Sequence, residues 1–315
     1  MNGLPRYADL PVVSGAPPGS AWGVFGHDDQ LGTLNLLTAA RRAAAASLVR
    51  RGATFNLDLP LDLPRRAFFP PRRPPHHEVL GKGTLGRDEF LDGLYTQHSS
   101  QWDGLRHVRH PVHGFYGWTS DADADDPRGR LGIERFSAAG IVGRGVLLDV
   151  ARFLARRGQS LAPDAHLALP AALLDDVAEA EGVELRPGDI LLMRTGVDSW
   201  IRSGAPAGPA DELVADYQGP GLEQGNPTLA WLWDRHVAAV VSDNLAVEAW
   251  PPPSMDQFLH FQAIPLLGLV FGELFDLEAL AEDCAADRVY EVCFMAKPLM
   301  LRGGVGSTAN ALALK

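Results

Sequence analysis

Cysteine is almost absent from this chain: two residues, Cys284 and Cys293, in 315. That excludes a disulfide-framed scaffold and a zinc module built on several thiolates. Long apolar runs are missing as well. The longest, Ala263 to Phe271, is interrupted by Pro265 and Gly268 and falls short of the roughly 20 residues a membrane-spanning helix needs. The first twenty residues show neither a basic start nor an apolar stretch, so no signal segment is expected there and a cytoplasmic protein is. Positive charge is scarce: 28 Lys and Arg against 39 Asp and Glu give a formal net charge of −11. Such a chain is poorly suited to nucleic acid or to an anionic membrane surface. Its basic residues gather only between Arg65 and Arg73, where prolines break any helix.

What is present is a globular composition. Hydrophobic residues make up 46%, enough to build one sizeable core at this length. The 33 glycines and 24 prolines indicate many turns without reaching a disordered composition. Thr38 caps a predicted helix over residues 39–51 that stops at Gly52. Residues 53–61 alternate as a strand, and Pro60 to Pro75 reads as a long exposed connection. Further helices are expected at 171–181, 228–235 and 277–282. Strands are expected at 145–150, 189–194, 237–242, 290–296 and 298–301, with an extended stretch at 94–103. Strands alternating with helices, without a clean linker or repeat, indicate a single α/β domain.

Two groups of residues can carry chemistry. The first lies between Gln97 and His113. If that segment is extended, Gln97, Ser99, Gln101 and Asp103 share one face, while His98, Ser100 and Trp102 share the other. Two amide oxygens and a carboxylate followed by His107 suit a divalent cation. The same residues also read as a polar, turn-rich segment with satisfied hydrogen bonds. The second group is His260 and Glu273, with Asp243 and Glu248 upstream. His260 and Glu273 meet if residues 261–271 fold back; otherwise Glu273 serves the helix starting near Asp276. Trp102, Phe115, Tyr116 and Trp118 flank the first group, either as an aromatic wall for a flat substrate or as core. Gly303 to Ser307 reads as a turn, Asp121 to Asp126 as a solvated acidic loop, and His76-His77 as surface.

In this setting the chain resembles the cyclase-like family of metal-dependent hydrolases, which includes bacterial kynurenine formamidase and isatin hydrolase. The family hallmark is His-x-Gly-Thr-His-x-Asp-x-Pro-x-His. With its Asp placed on Asp103, Gln97 and Gln101 take the first two His positions, Leu105 the Pro position and His107 the last His. Supporting matches run in order: Ser20-Ala21-Trp22-Gly23, Asp29 to Leu37, Gly143 to Asp149, Gly188 to Gly196, Gly219 to Leu222, Ser242-Asp243, His260 and Glu273. The resemblance spans about Ser20 to Leu314.

The resemblance implies the family's single-domain swivelling β/β/α fold, with a mixed sheet core and flanking helices after an extended arm over residues 1–19. It also implies a homodimer or homotetramer and a small-molecule substrate. It implies a divalent metal, Mn²⁺ or Zn²⁺, held by Gln97, Gln101, Asp103, His260 and Glu273. Asp103 and His107 would be catalytic, with His107 shuttling a proton; Trp102, Phe115 and Tyr116 would line the substrate. Glutamine at two histidine positions leaves three arrangements open: a metal with Gln ligands, a metal displaced toward Asp103, His260 and Glu273, or a metal-free acid/base cluster. The expected activity is hydrolysis of a C–N or C–O bond in a small cyclic or aryl amide, lactam or lactone. A polyketide-type cyclase or dehydratase using the same cluster, and a catalytically silent ligand-binding homologue, are the alternatives.

Overall fold

A computed structural model describes residues 3–209 and 212–315. Its strands are β1 (Thr54–Asn56), β2 (His76–Val79), β3 (Glu89–Asp92), β4 (Gln101–Asp103), β5 (Ile141–Asp149), β6 (Leu167–Leu169), β7 (Ile190–Arg194), β8 (Pro220–Leu222), β9 (Ala239–Ser242), β10 (Val270–Glu273), β11 (Glu291–Ala296), β12 (Gly306–Thr308) and β13 (Ala311–Leu314). The helices are α1 (Ala39–Ala46), α2 (Asp121–Asp125), α3 (Glu134–Ala139), α4 (Val150–Arg156), α5 (Leu173–Glu181), α6 (Val197–Arg202), α7 (Asn226–Asp234), the short α8 (His260–Gln262) and α9 (Glu278–Asp287).

Nine strands form one mixed sheet in the order β1-β13-β11-β5-β7-β9-β10-β4-β12. The central four, β5, β7, β9 and β10, run parallel to one another. They are apolar and almost wholly buried, as strands covered on both faces must be. Antiparallel strands extend the sheet on both sides. This is the α/β class that the alternation of strands and helices indicates, with the mixed sheet that the resemblance implies.

The local signals account for most elements. Thr38 accepts a hydrogen bond from Arg41 N and starts α1. Pro227 opens α7, where its missing N–H costs nothing. Gly182, at φ 71°, ends α5. Some boundaries differ. The helix expected over 39–51 stops at Ala46, where the Ser47 hydroxyl bonds back to the Ala44 carbonyl. The strand expected over 53–61 forms a ladder only at β1, against the short β13, with a single further bridge between Asp58 and Phe275. Pro298 to Leu301 is not a strand: Pro298 has no N–H to give a ladder, and the last pairings fall to β12 and β13 instead. The acidic stretch after Ser120 opens with one helical turn, α2, which Ser120 caps.

The Pro60 to Pro75 connection is not merely exposed. Phe68 is buried in a small cluster with Ile201, Tyr217, Leu245 and Leu274. It therefore lies beside Leu274 at the end of β10. Beyond it, β2 and β3 form an exposed hairpin. The N-terminal segment lies on α7: Trp233 Nε1 donates to the Pro5 carbonyl, 2.9 Å, and Tyr7 N donates to Asp234 Oδ1, 2.6 Å. Among the described residues no helix is long and apolar enough to cross a membrane.

The carboxyl ends of β5 and β7 are tied by ion pairs. Asp149 caps α4 and binds Arg194 at 2.7 Å and Arg152 at 2.9 Å. Beside it, Glu181 Oε1 accepts from Asp149 N at 3.0 Å, while Glu181 Oε2 is buried without a partner. Burial, with Asp149 close by, pushes the Glu181 carboxyl up to about 8 from an ordinary 4.5. The folded state thus binds this proton more tightly than the unfolded state. The resulting stability is complete below the ordinary value and is lost as pH rises through the folded one. Urea midpoints of the wild type should therefore fall relative to Glu181→Gln between about pH 5 and 8. A constant difference between the two across that range would refute this assignment.

Candidate active site

The site begins with strand register. In the antiparallel pair β4–β10, Gln101 stands opposite Glu273 and Asp103 opposite Phe271. Residues opposite each other, or two apart, point to the same face. Gln101, Asp103 and Glu273 therefore share one face of the sheet. Trp102 points to the other, opposite Gly272. A Cβ on Gly272 would lie 2.8 Å from the Phe275 ring and 3.1 Å from Trp102, so glycine is what lets Trp102 pack there.

His260 arrives from the opposite direction. It sits on α8, followed by a π-turn, Ala263–Leu267, that ends at Gly268 with φ 64°. The chain folds back through this turn into β10, so His260 Nε2 lies 2.9 Å from Glu273 Oε1 and 3.4 Å from Asp103 Oδ2. Glu248, on the loop after β9, fixes the ring from behind. Its carboxylate accepts from Leu259 N at 2.7 Å, His260 N at 3.1 Å and His260 Nδ1 at 2.8 Å. All four groups are buried.

The two glutamines turn their amide nitrogens toward the carboxylates. Gln101 Nε2 donates to Glu273 Oε2 at 2.5 Å. Gln97 Nε2 donates to Asp103 Oδ1 at 3.2 Å and to His107 Nδ1 at 2.6 Å. A carboxylate oxygen has to receive a donor, so the NH₂ end of Gln97 is the end that faces Asp103. Gly306 makes room: a Cβ there would lie 2.9 Å from Gln97 Cδ. With Nδ1 taken by Gln97, neutral His107 carries its proton on Nε2, which is 3.6 Å from Asp103 Oδ1. His107 is thus arranged as a hydrogen-bond donor rather than as the two-way shuttle the sequence suggests.

The electrostatics follow from this crowding. Burial disfavours a charged Asp103, but His107 and His260 outweigh it and hold the carboxyl below the usual carboxylate range. Burial, then the neighbouring Asp103, pushes Glu273 up. Burial works against a charged His260, yet the carboxylates of Asp103, Glu248 and Glu273 around it hold it well above an ordinary histidine. Burial lowers His107, with Asp103 working in the opposite direction.

The donor set fits a divalent cation. Glu248 claims the Nδ1 proton, so a neutral His260 turns its Nε2 lone pair toward two carboxylate oxygens. Three electron-rich atoms facing one another need a proton or a cation between them. Asp103 Oδ2 and Gln101 Oε1 are buried without any hydrogen-bond partner. The ligand atoms of Asp103, His260 and Glu273 lie within 4.8 Å of one another. Two donors each about 2.1 Å from one ion stand about 3.0–3.4 Å apart at angles of about 90–109°, close to the separations seen.

Not every predicted residue belongs to this cluster. Gln97 is a donor to Asp103 and His107, so its amide is not presented as a ligand. Trp102 is fully buried; its Nε1 donates to the Ala309 carbonyl, and its ring packs edge-on against Phe275 and Phe294. Tyr116 is buried in the core, with its hydroxyl on Asp29 Oδ2 at 2.9 Å. Phe115 packs against the same core. None of the three lines the cavity at the site: the sheet stands between Trp102 and the cluster, Tyr116 is tied to Asp29, and Phe115 packs on the core. The expected face alternation holds at Gln101, Trp102 and Asp103. It fails at Ser99, whose hydroxyl instead donates to the Pro60 carbonyl. His98 and Ser100 anchor neighbouring loops, through the Pro64 and Leu274 carbonyls.

The cavity beside the cluster measures about 240 Å³ and is lined by Phe69, Arg72, His107, Trp250, Phe258, His260 and Glu273, among others. Phe69, Arg72, Trp250 and Phe258 were invisible as site residues in the sequence. They come from two loops that only the fold brings together, although the basic run Arg65 to Arg73 marked one of them. A larger hollow of about 750 Å³ lies against the β2–β3 hairpin. Its His77 and Glu89 are exposed and paired with each other at 2.8 Å, and it holds none of the buried cluster.

Comparison with known proteins identifies the fold and the family. A family model described as "Putative cyclase" matches residues 60–249. The crystal structure of a novel cyclase is 33% identical, with a TM-score of 0.81 over 94% of this chain and 99% of that one. The fold is shared with isatin hydrolase A from Labrenzia aggregata, solved with benzyl benzoate, at 18% identity and a TM-score of 0.58 over 89% of this chain and 98% of that one. Isatin hydrolase A from Ralstonia solanacearum is similar at 15% identity and a TM-score of 0.57, covering 89% and 97%. No curated protein matches the chain. With a family model covering more than half its length and a solved cyclase at this identity, the chain belongs to the cyclase family.

Proposed function

We propose that this protein is a metal-dependent hydrolase that cleaves a C–N or C–O bond in a small cyclic or aryl amide, lactam or lactone. One observation carries the proposal: the Nε2 of His260, Oδ2 of Asp103 and Oε1 of Glu273 converge beside a cavity of substrate size. These three residues would hold the ion. When bound, a divalent cation polarises a carbonyl and makes water acidic enough to act as a nucleophile near neutral pH.

The chain's own residues do the rest. Glu248 aligns His260 and keeps its proton on Nδ1. Gln101 and Gln97 each tie down one oxygen of a carboxylate, so the other oxygen stays turned toward the common point. Gln97 also fixes the His107 ring. Neutral His107 then presents its Nε2 proton to the oxygen or nitrogen that gains charge as the bond breaks. A neutral imidazole can serve as such an electrophile. The cavity, about 240 Å³ and walled in part by Phe69, Trp250 and Phe258, suits a molecule of one or two rings.

The test is a panel of aryl amides, lactams, lactones and polyketide-type ketones, with metal content measured on the same samples. Hydrolysis that disappears on chelation and returns with Mn²⁺ or Zn²⁺ is expected. Full activity in a metal-free preparation, or turnover of the ketones alone, would sink the reading. Asp103→Asn and Glu273→Gln should lose both bound cation and activity. His107→Ala should retain the cation while kcat falls roughly 10²–10³-fold, the usual cost of one lost transition-state donor.

Glu248→Leu separates support from ligation. Three buried N–H donors would lose their acceptor, at a cost of about 3 kcal/mol or more, read as a lower urea midpoint. The milder Glu248→Gln should weaken cation binding by about 10–100-fold, as loss of a partner behind a ligand does. Unchanged affinity in that variant would show that His260 is not a ligand.

A further inference from the structure

We propose that the cavity selects a small, flat aromatic ligand bearing an anionic group, with Arg72 receiving the anion. This rests on the reading of the cavity as a substrate site and narrows the substrate class.

The walls define the flat part. Phe69 meets Trp250 edge-on with centroids 4.9 Å apart, and Trp250 meets Phe258 edge-on at 5.9 Å. Phe258 in turn stacks on His260, 4.6 Å between centroids and 8° between planes. Four rings thus form a continuous aromatic surface that ends on the His260 imidazole. A planar π-system can stack or sit edge-on against such a surface in a way a saturated ring cannot.

The charge pattern defines the other part. The acids at the cluster, Asp103, Glu248 and Glu273, repel an anion. Arg72 is the cationic side chain that lines the cavity. Its Nη1 donates to the Gln97 carbonyl at 3.0 Å, and its guanidinium lies 5.4 Å from the centre of the Phe69 ring. Among the described residues it makes no ion pair, and Nε and Nη2 have no partner. A guanidinium held at one nitrogen and backed by an aromatic face keeps the remaining N–H groups for a carboxylate, whose two oxygens match that fork.

The experiment is calorimetric titration of the protein with benzoate, benzamide and cyclohexanecarboxylate. Each is run with and without saturating Mn²⁺, so that direct carboxylate–cation binding is seen separately. Benzoate should bind at least roughly tenfold more tightly than benzamide, as a charge-assisted bond implies, and more tightly than cyclohexanecarboxylate. Arg72→Gln should erase the benzoate preference while leaving benzamide unchanged. Arg72→Lys, which keeps the charge but not the fork, should restore part of it and stands in if Arg72→Gln is unfolded.

Equal affinity for benzoate and benzamide would overturn the proposal. So would a preference that survives in Arg72→Gln, or a loss in that variant that is the same for both ligands, which would place Arg72 in support of Gln97 alone. The readout is separate from turnover. Arg72-dependent benzoate binding in a protein that cleaves nothing keeps this inference and removes the hydrolase reading. Cleavage with no preference for anions does the reverse.

Discussion

The antiparallel register between β4 and β10 is the constraint on which the site depends. It sets Gln101 against Glu273 and Asp103 against Phe271, and so places two carboxylates and an amide on one face. Shifting either strand by one residue would turn the carboxylates into the core and Trp102 out of it. Two features resist that slip. Trp102 is enclosed by Phe275, Phe294 and the bare backbone of Gly272. On its other edge β4 pairs with β12, where Gly306 opposite Asp103 leaves space for the Gln97 amide. Core packing on one face of the strand thus secures chemistry on the other.

That register creates an electrostatic debt. Asp103, Glu248 and Glu273 are all buried around a single imidazole. In a medium of low polarity, acids at this separation cannot all remain charged without compensation. Arg72 helps both Asp103 and Glu273, but it stands at the cavity wall and not between the oxygens. A proton on His260 or a divalent ion among the ligands completes the balance. The same deficit explains why Arg72 has N–H groups to spare: its charge acts on the cluster through space while its fork stays open.

The sequence shows the parts of this arrangement better than their contacts. The apolar strands β5, β7 and β9 were legible because parallel strands buried on both faces carry uninterrupted apolar residues. Alternation over Gln101, Trp102 and Asp103 correctly separated the faces, since period two survives even in a three-residue strand. His260 and Glu273 were legible as a pair only on condition that the intervening residues fold back. The π-turn that achieves this has no simple periodic signature. Trp102 and Tyr116 were misread as possible cavity walls because closeness along the chain to Asp103 says nothing about the face a ring takes. The actual rings, Phe69, Trp250 and Phe258, lie on loops about 180 residues apart in sequence, and only tertiary packing brings them together.

The glutamines present the harder question. In the family hallmark their positions are histidine, and loss of two imidazoles reads at first as decay of a metal site. The geometry argues otherwise. A decayed position is free to take any side chain that fills the space, and an apolar one would cost least if the carboxylates beside it had also been lost. Here each amide nitrogen meets a specific carboxylate oxygen, and one of them also sets the His107 tautomer. Removing either glutamine would leave a buried acceptor without its donor, a penalty larger than the bond itself contributes. The exchange replaces lone-pair donors with N–H donors and keeps Asp103, His260 and Glu273 aimed at one point. What remains is a ligand set richer in oxygen, with Gln101 Oε1 unpartnered beside it. If the cluster holds a cation as proposed, the preference of harder ions for oxygen would favour Mn²⁺ over Zn²⁺ there.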